Sequence, residues 1–557
     1  MSSSFGRGNR GLKSAEDVIW YIIATMESSL LAPEVKPVLE YYQDLEKRLK
    51  RKDGRGKRKV GDTFSSVASF YERIRYTVDY KKENLLRRNA IERIVKRLLW
   101  EKGEGNLLSL SETLVKELIW AKYVKNDYYP VRKVAEISAI IAKYLFLSTR
   151  FEKGWKDWLV GVASCEIEES LDPSIVSYDV FSMAIESWFK KNFEWAGDGL
   201  DEVEKENQLA IAIHRSLFRS DEPKGAYFLL RRMVKGWNGM EKEDVAKRGE
   251  EIIKALVRIR SSLKNSFQSK LYRYVQKEVA AFQILKNLIE QNPGAAQSLM
   301  GNPDEFTKEI YEICEARYDE IRQRVNLGIV RSIIYIFITK IIFAIAIEIP
   351  YELYFLKQLS WLPLASTVMI PVLFVFLVAL TIRRPGNDNT VKIAETIFDF
   401  VYEHKVTQKV SFSLTGKKRG LSYQVFSAIY GIVFVAVFSL IAYVLTKAGY
   451  DIIGIGIFFI FLSLILLFAY RVKFAASELN VTTIKESLAS HLMSNLTLPF
   501  LDLGVWLADK FSQLNFFILL FDFLVEAPLK NIIGILNEWT SFLKERKEEA
   551  IEIPVER

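Results

Sequence analysis

The stretch LPLASTVMIPVLFVFLVALTI, residues 362–382, holds 21 consecutive residues without a charge. A second stretch, IIGIGIFFIFLSLILLFAY at residues 452–470, holds another 19. A helix needs roughly 20 apolar residues to cross the hydrocarbon core of a bilayer, because each residue advances it by about 1.5 Å. Both stretches therefore predict membrane-spanning helices, and they exclude a wholly soluble protein.

Two further stretches extend the predicted membrane domain. Residues 421–446 carry no charge, and a span is predicted at 428–446. Residues 332–350 are less apolar, since Lys340 lies near the middle and Glu348 near the end. Helices are favoured throughout, because unpaired peptide groups are costly in lipid. The predicted membrane domain covers 327–473, with four spans at 332–350, 362–382, 428–446 and 452–470.

Basic residues near the span ends predict the orientation. Fourteen Lys and Arg residues flank the four predicted spans on one side, and only Lys357 and Lys447 lie on the other. Because basic residues accumulate on the cytoplasmic side, both termini and the central loop, residues 383–427, are predicted to be cytoplasmic. Tyr351 and Trp361 then lie at the outer interface, where aromatic rings are favoured. The sequence thus predicts an integral, multi-pass membrane protein.

The first 326 residues have a different composition from the membrane domain. Of the 557 residues, 50% are apolar and 26% are charged, and the net charge is +9. This composition excludes a disordered chain, a collagen-like repeat and a small disulfide scaffold. Residues 14–326 contain eight of the 11 Trp residues and show the spacing of successive amphipathic helices. A packed helical cytoplasmic domain is therefore predicted at 14–326, after a disordered N terminus at 1–13, and the fold class is all-α.

One long helix is predicted to join the two domains. The sequence NPDE at residues 302–305 combines an N-cap, a proline at the first helical position and acids in the first turn. Apolar residues follow at helical spacing as far as Val325, and only Gly328 weakens the helix before residue 332. A continuous helix here would couple the soluble domain rigidly to the spans.

The central loop is predicted to contain a short amphipathic helix and a small β-hairpin. Residues 393–401 place their apolar side chains on one helical face. Apolar and polar residues then alternate on both sides of GKKRG at 416–420, as expected for paired strands. An irregular loop leading into the next span is the alternative. The alternating apolar residues are Val410, Phe412 and Leu414 on one side and Leu421, Tyr423 and Val425 on the other.

The C-terminal region, residues 474–545, is predicted to form amphipathic helices on the membrane surface. Its densest apolar run, residues 514–525, is only 12 residues long and contains Asp522, which is short for a span. A fifth span or re-entrant segment over 514–528 is the alternative. Residues 546–557 are predicted to form a mobile charged tail.

The most basic segment of the chain is Lys47–Lys59, in which nine of 13 residues are Lys or Arg. Such a segment can bind RNA phosphates or anionic lipid headgroups, through counterion release or attraction to a negative membrane surface. A solvated loop that keeps the domain soluble is the alternative. The nine predicted contact residues are Lys47, Arg48, Lys50, Arg51, Lys52, Arg55, Lys57, Arg58 and Lys59.

Lys340 is the second candidate functional residue, because a charge at the middle of a span costs about 2.5–3.5 kcal/mol on insertion scales. One hypothesis pairs it with Glu348, Asp522 or Glu526 in a polar path. The interpretation favoured from sequence is that the helix is shifted, so that the amine reaches a headgroup.

Motifs for catalysis, metal binding or cofactor binding are absent from the sequence. Glu166, Glu168 and Glu169 form a cluster of carboxylates, for which exposure to solvent is the expectation. Cys165 and Cys314 are expected to be reduced and buried. No enzyme activity, cofactor or metal is predicted.

Three functional hypotheses follow. The first is a non-enzymatic membrane scaffold or adaptor whose helical domain binds a cytoplasmic protein, a ribosome or RNA, or anionic lipid of the bilayer. The second is a transporter or channel with Lys340 in a polar path. The third is an enzyme with a helical site that no motif reveals.

Overall fold

The computed structural model describes most of the chain between residues 31 and 512. The predicted disordered N terminus lies outside the described residues, as do residues 514–528 and all but the first residue of the predicted charged tail. The described ranges are 31–50, 85–124, 132–152, 154–172, 176–196, 200–265, 267–357, 361–382, 385–402, 410–413, 421–476, 479–481 and 488–512, with the single positions 539, 542, 543 and 546.

Helices make up almost all of the described structure, which confirms the all-α class. Acids at the first turn and side-chain caps start several of them; Asp201, for example, accepts a hydrogen bond from the backbone N–H of Glu204. The helices that precede the spans are α1 (Val35–Lys50), α2 (Leu86–Lys102), α3 (Leu107–Trp120), α4 (Arg132–Ser148), α5 (Trp155–Leu171), α6 (Val176–Asn192), α7 (Glu202–Phe218), α8 (Glu222–Met233), α9 (Lys242–Lys247), α10 (Gly249–Leu263), α11 (Gln268–Gln291), α12 (Ala296–Met300) and α13 (Pro303–Phe343).

Two apolar cores hold these helices together, and α7 contributes to both. The first core is formed by α2 to α5 with α8 to α10, and it receives Ala210 and Ile211 from α7. The second is formed by α1, α6 and α11 to α13, and it receives Ala212 and Ile213. Because successive pairs of α7 residues point into different cores, this helix joins the two halves of the helical domain.

The helix α13 continues well beyond the helical domain. It begins at Pro303, as predicted, and runs without a break for 41 residues to Phe343. A π-helical turn, Ala344–Glu348, follows directly, then one α-helical turn and a second π-helical turn, Glu352–Leu356. We call residues 303–356 the rod.

Three helices of the described structure are long and apolar enough to cross a membrane. They are α14 (Trp361–Leu380), residues 424–447 of α16 (Leu421–Lys447) and residues 452–474 of α17 (Ile452–Ala476). The prediction of four such spans is therefore wrong. The sequence predicted at 332–350 belongs to the charged rod, where Lys340 and Glu348 lower the apolar content and the α-helix already ends at Phe343.

The candidate spans pack around α17. Its buried residues Phe458, Leu462 and Leu466 belong to a third apolar core, shared with Val375 and Val378 of α14. The helix α18 (Leu488–Ser512) packs lengthwise on α17. We call the candidate spans, α18 and the part of the rod beyond residue 328 the bundle. Surface helices stay a prediction for the part of 474–545 beyond α18.

The central loop is tied to the helical domain by α15 (Asn387–Val401) and by the strand β2 (Val410–Ser413). The strand β2 pairs in parallel with β1 (Phe193–Ala196), so that Phe193 lies opposite Val410. The predicted hairpin is therefore wrong. Residues 421–425 are the first turns of α16 instead, a conformation that satisfies their backbone hydrogen bonds within an apolar run.

Candidate functional site

The basic segment begins on α1, at the end of the helical domain that lies far from the bundle. Lys47 is exposed on α1, and the backbone of Arg48 and Lys50 completes this helix. The six predicted contact residues from Arg51 to Lys59 lie outside the described residues. Next to the end of α1, the Tyr42 hydroxyl donates to Glu290 over 3.4 Å. The carboxylate of Glu46 lies 3.7 Å from the position of a Cβ at Gly294, just ahead of the rod.

The rod measures the distance from this point to the bundle. Ile329 is the rod residue that lines a small apolar cavity with Val378 of α14 and Val472 of α17. Between Pro303 and Ile329 the rod advances about 40 Å, at 1.5 Å per residue. The C-terminal end of α1 therefore lies about 40 Å along the rod from the nearest part of the bundle.

Lys340 is turned into the protein and is only 1% exposed. Its ammonium group donates a hydrogen bond to the carboxylate of Glu348, and it also lies 4.4 Å from the centre of the Phe461 ring. The interpretation in which the amine reaches a headgroup does not fit this burial. Of the three predicted partners, Glu348 is in contact, whereas Asp522 and Glu526 lie outside the described residues.

The rod runs antiparallel to α17 along the whole bundle. Ile329 lies beside Val472, Lys340 beside Phe461, and the Tyr351 hydroxyl donates to Asp451 over 2.8 Å. We call the end of the bundle at Ile329 the near face, because it adjoins the helical domain, and the end at Tyr351 the far face. Trp361, at the start of α14, and Ile452 are exposed near the far face.

A junction around Asn389 joins the bundle to the helical domain. The buried side-chain amide of Asn389, on α15, donates to the Tyr318 hydroxyl over 2.9 Å and to the Leu479 carbonyl over 2.7 Å. Its carbonyl oxygen accepts from the backbone N–H of Val481 over 2.7 Å. One amide thereby holds three segments together: the rod, the central loop and the chain that follows α17. An Asn has the two donors and the acceptor that this arrangement needs, but nothing in the sequence singles it out.

The carboxylates of α5 are buried, so the expectation of exposed acids at Glu166, Glu168 and Glu169 is wrong. Glu166 accepts hydrogen bonds from Lys143 over 2.6 Å and from Tyr144 and Trp237 over 2.8 Å each. Burial raises the pKa of the Glu166 carboxyl, while the Lys143 ammonium opposes that rise.

The two neighbouring carboxylates also have cationic partners. Glu169 accepts from Arg231 over 2.6 Å and from the Asn238 amide over 2.7 Å. Glu168 lies 3.5 Å from Arg87 and 3.8 Å from Lys224. Buried ion pairs of this kind favour one arrangement of the helices over others, because a misplaced helix would leave a charge unpaired in the core.

The single His of the helical domain is also buried. The His214 ring stacks on Phe228 with centroids 4.4 Å apart, and its Nδ1 lies 2.9 Å from the Ser220 hydroxyl. Burial lowers the pKa of His214 to about 3, so the ring is neutral at physiological pH. Cys165 and Cys314 are free and buried, as expected, and burial raises the pKa of Cys314 to about 12. These groups are protected from solvent chemistry.

Comparison with models of protein families, with curated proteins and with solved structures finds no match for this chain. Within the described ranges, no group of His, Cys, Asp and Glu residues has the geometry to hold a metal ion. The polar groups described here are instead joined to one another, either in ion pairs or in the junction at Asn389. Their common effect is to fix helices relative to one another.

Proposed function

We propose that the protein is a non-enzymatic scaffold that holds its helical domain rigidly against one side of a membrane. The observation that carries the proposal is the junction at Asn389, where the rod, the central loop and the chain after α17 meet. A tether would need only one flexible connection. Three connections that share one buried amide are suited to holding a domain at a fixed position.

The near face is proposed to be cytoplasmic. Arg331 of the rod and Arg383 and Arg384, which follow α14, lie close to it in sequence, as do Arg471 and Lys473 at the end of α17. Basic residues are favoured on this side of a membrane. The helical domain then lies in the cytoplasm, where a large domain can meet soluble partners.

The partner is proposed to be a cytoplasmic polyanion such as RNA, bound by the basic segment Lys47–Lys59. The position of α1 supports this choice over lipid of the same bilayer. The segment starts about 40 Å from the bundle, whereas the nine residues that follow Lys50 reach at most about 32 Å when fully extended. Phosphate groups of a soluble partner are within reach without this restriction, and they bind Lys and Arg by counterion release.

The partner proposal is tested by replacing all nine basic residues of the segment with Gln. We expect the full-length variant to lose most of its co-sedimentation with RNA, and wild-type binding to weaken steeply with added salt. Binding to liposomes that contain anionic lipid should change little. The matched control replaces exposed lysines of the helical domain elsewhere, at Lys235, Lys247 and Lys254. RNA binding that survives the nine substitutions would exclude this role.

A transporter is the second candidate, favoured by the buried Lys340–Glu348 pair inside the bundle. Against it, the described space between the rod, α14 and α17 near Ile329 is an apolar cavity of about 10 Å³, the volume of about one water. Ion flux in reconstituted vesicles distinguishes the two functions. Flux in the wild type that Lys340→Leu abolishes would favour transport, and a silent wild type would favour the scaffold.

A further inference from the structure

The contact between Lys340 and Glu348 requires a departure from regular α-helix. Each residue of an α-helix turns by about 100°, so two residues eight apart face directions about 80° apart. Yet Lys340 and Glu348 form a buried ion pair on one face of the rod. A π-helical turn, with its i→i+5 hydrogen bonds, holds more residues per turn and so rotates less at each one. The turn Ala344–Glu348 therefore supplies the rotation that aligns the two charges.

We infer that the ion pair and the π-helical turn Ala344–Glu348 form one conformational switch. While the pair is formed, it holds one extra residue in the turn. When the pair is broken, the turn relaxes to α-helix, and the rod beyond Glu348 rotates by about 100°, the rotation of one residue. The inference does not depend on the identity of any partner of the helical domain.

The far face carries the consequence of this rotation. Tyr351 follows the turn by three residues, and its hydroxyl donates to Asp451 at the start of α17. A rotation of about 100° moves a side chain by about 8 Å, since a helix with its side chains has a radius of about 5 Å. The hydroxyl would lose Asp451, so the pair in the middle of the bundle controls a contact at its end.

A distance between two exposed residues at the far face reports the rotation. Tyr354 on the rod is 80% exposed and Ile452 on α17 is 88% exposed, so both accept spin labels through cysteine. The native Cys165 and Cys314 are buried and free. In full-length protein in nanodiscs, we expect Lys340→Met to move the label on residue 354 by about 8 Å and to shift the measured distance clearly. The control Lys447→Met, an exposed lysine at the end of α16, should leave it unchanged.

Deleting Ile345 gives the decisive second variant. This residue is exposed within the π-helical turn, and its loss leaves Lys340 and Glu348 seven apart, a separation only about 20° short of two full α-helical turns. The deletion combined with Lys340→Met should therefore restore the wild-type distance. Glu348→Gln, which removes only the charge, should shift the distance as Lys340→Met does. A distance unchanged in both charge variants, or not restored by the deletion, would overturn the switch.

Discussion

Asn389 donates a side-chain hydrogen bond to the hydroxyl of Tyr318 over 2.9 Å, and this contact joins the loop between two candidate spans to the rod. The loop is therefore part of the helical domain rather than an appendage of the membrane domain. The apolar face of α15 supports the same conclusion, because Ile393, Ile397 and Val401 are buried in the second core.

The first prediction concerns this junction. Asn389→Ala leaves the Leu479 carbonyl and the Val481 N–H without their side-chain partner. Each buried group left unpaired costs about 1–3 kcal/mol, so the free energy of unfolding should fall clearly. Tyr318→Phe should cost less, about 1 kcal/mol. Unfolding in mild detergent measures both, with Asn292→Ala as an exposed control. Equal stability of Asn389→Ala and that control would show that the junction is not a structural joint.

The second prediction concerns the buried pair Lys143–Glu166. Lys143→Met leaves the Glu166 carboxylate buried beside Tyr144 and Trp237, and we expect a loss of about 3–5 kcal/mol in the free energy of unfolding. Lys143→Met combined with Glu166→Leu should be more stable than the single variant.

Lys133→Met on the same helix is the control for this pair. Its partner Glu136 is 41% exposed, so the cost should be at most about 1 kcal/mol. Similar losses for Lys133→Met and Lys143→Met in denaturant titrations would contradict the importance of burial.

The third prediction is a pH dependence caused by His214. Burial lowers the pKa of this ring to about 3, against 6.5 for an exposed His. Below pH 6.5 the unfolded chain therefore binds a proton that the folded chain does not bind. The contribution to stability is complete above pH 6.5 and is lost as the pH falls toward 3, by about 1.4 kcal/mol per pH unit. Denaturant titrations of wild type and His214→Gln should show a shallower dependence between pH 6.5 and 4 in the variant. Parallel curves would rule out His214 as the cause.

The fourth prediction concerns the packing of α18 on α17. A Cβ at Gly504 would lie 2.5 Å from the Ser463 carbonyl oxygen, so Gly504→Ala should separate the two helices and lower the melting temperature. At Gly456, on α17, a Cβ meets nothing within 4 Å among the described residues. Gly456→Ala is the matched control and should leave the melting temperature unchanged. The same melting temperature in both variants would mean that the close approach is unimportant.

The periodic and apolar parts of this fold were predictable from sequence. The candidate spans show in uncharged runs such as residues 362–382, and the start of the rod shows in its cap at 302–305. The hairpin was mispredicted because alternation in residues 410–414 identifies a strand but not its partner, and β1 lies more than 200 residues away. The carboxylates of α5 were misplaced for the same reason, since their partner Lys143 lies on another helix. The role of Asn389 depends on three segments meeting in space, which no local pattern records.

The most direct test of the proposed scaffold is labelling from the two sides of sealed vesicles. Single cysteines are placed at exposed positions of the helical domain (Val257), of α15 (Asp388) and of the far face (Tyr354 and Ile452). If the domain and the central loop are held together on one side, Val257→Cys and Asp388→Cys react with a membrane-impermeant reagent from the same side, and the two far-face variants react only from the other. Labelling of Val257→Cys and Asp388→Cys from opposite sides would contradict the scaffold.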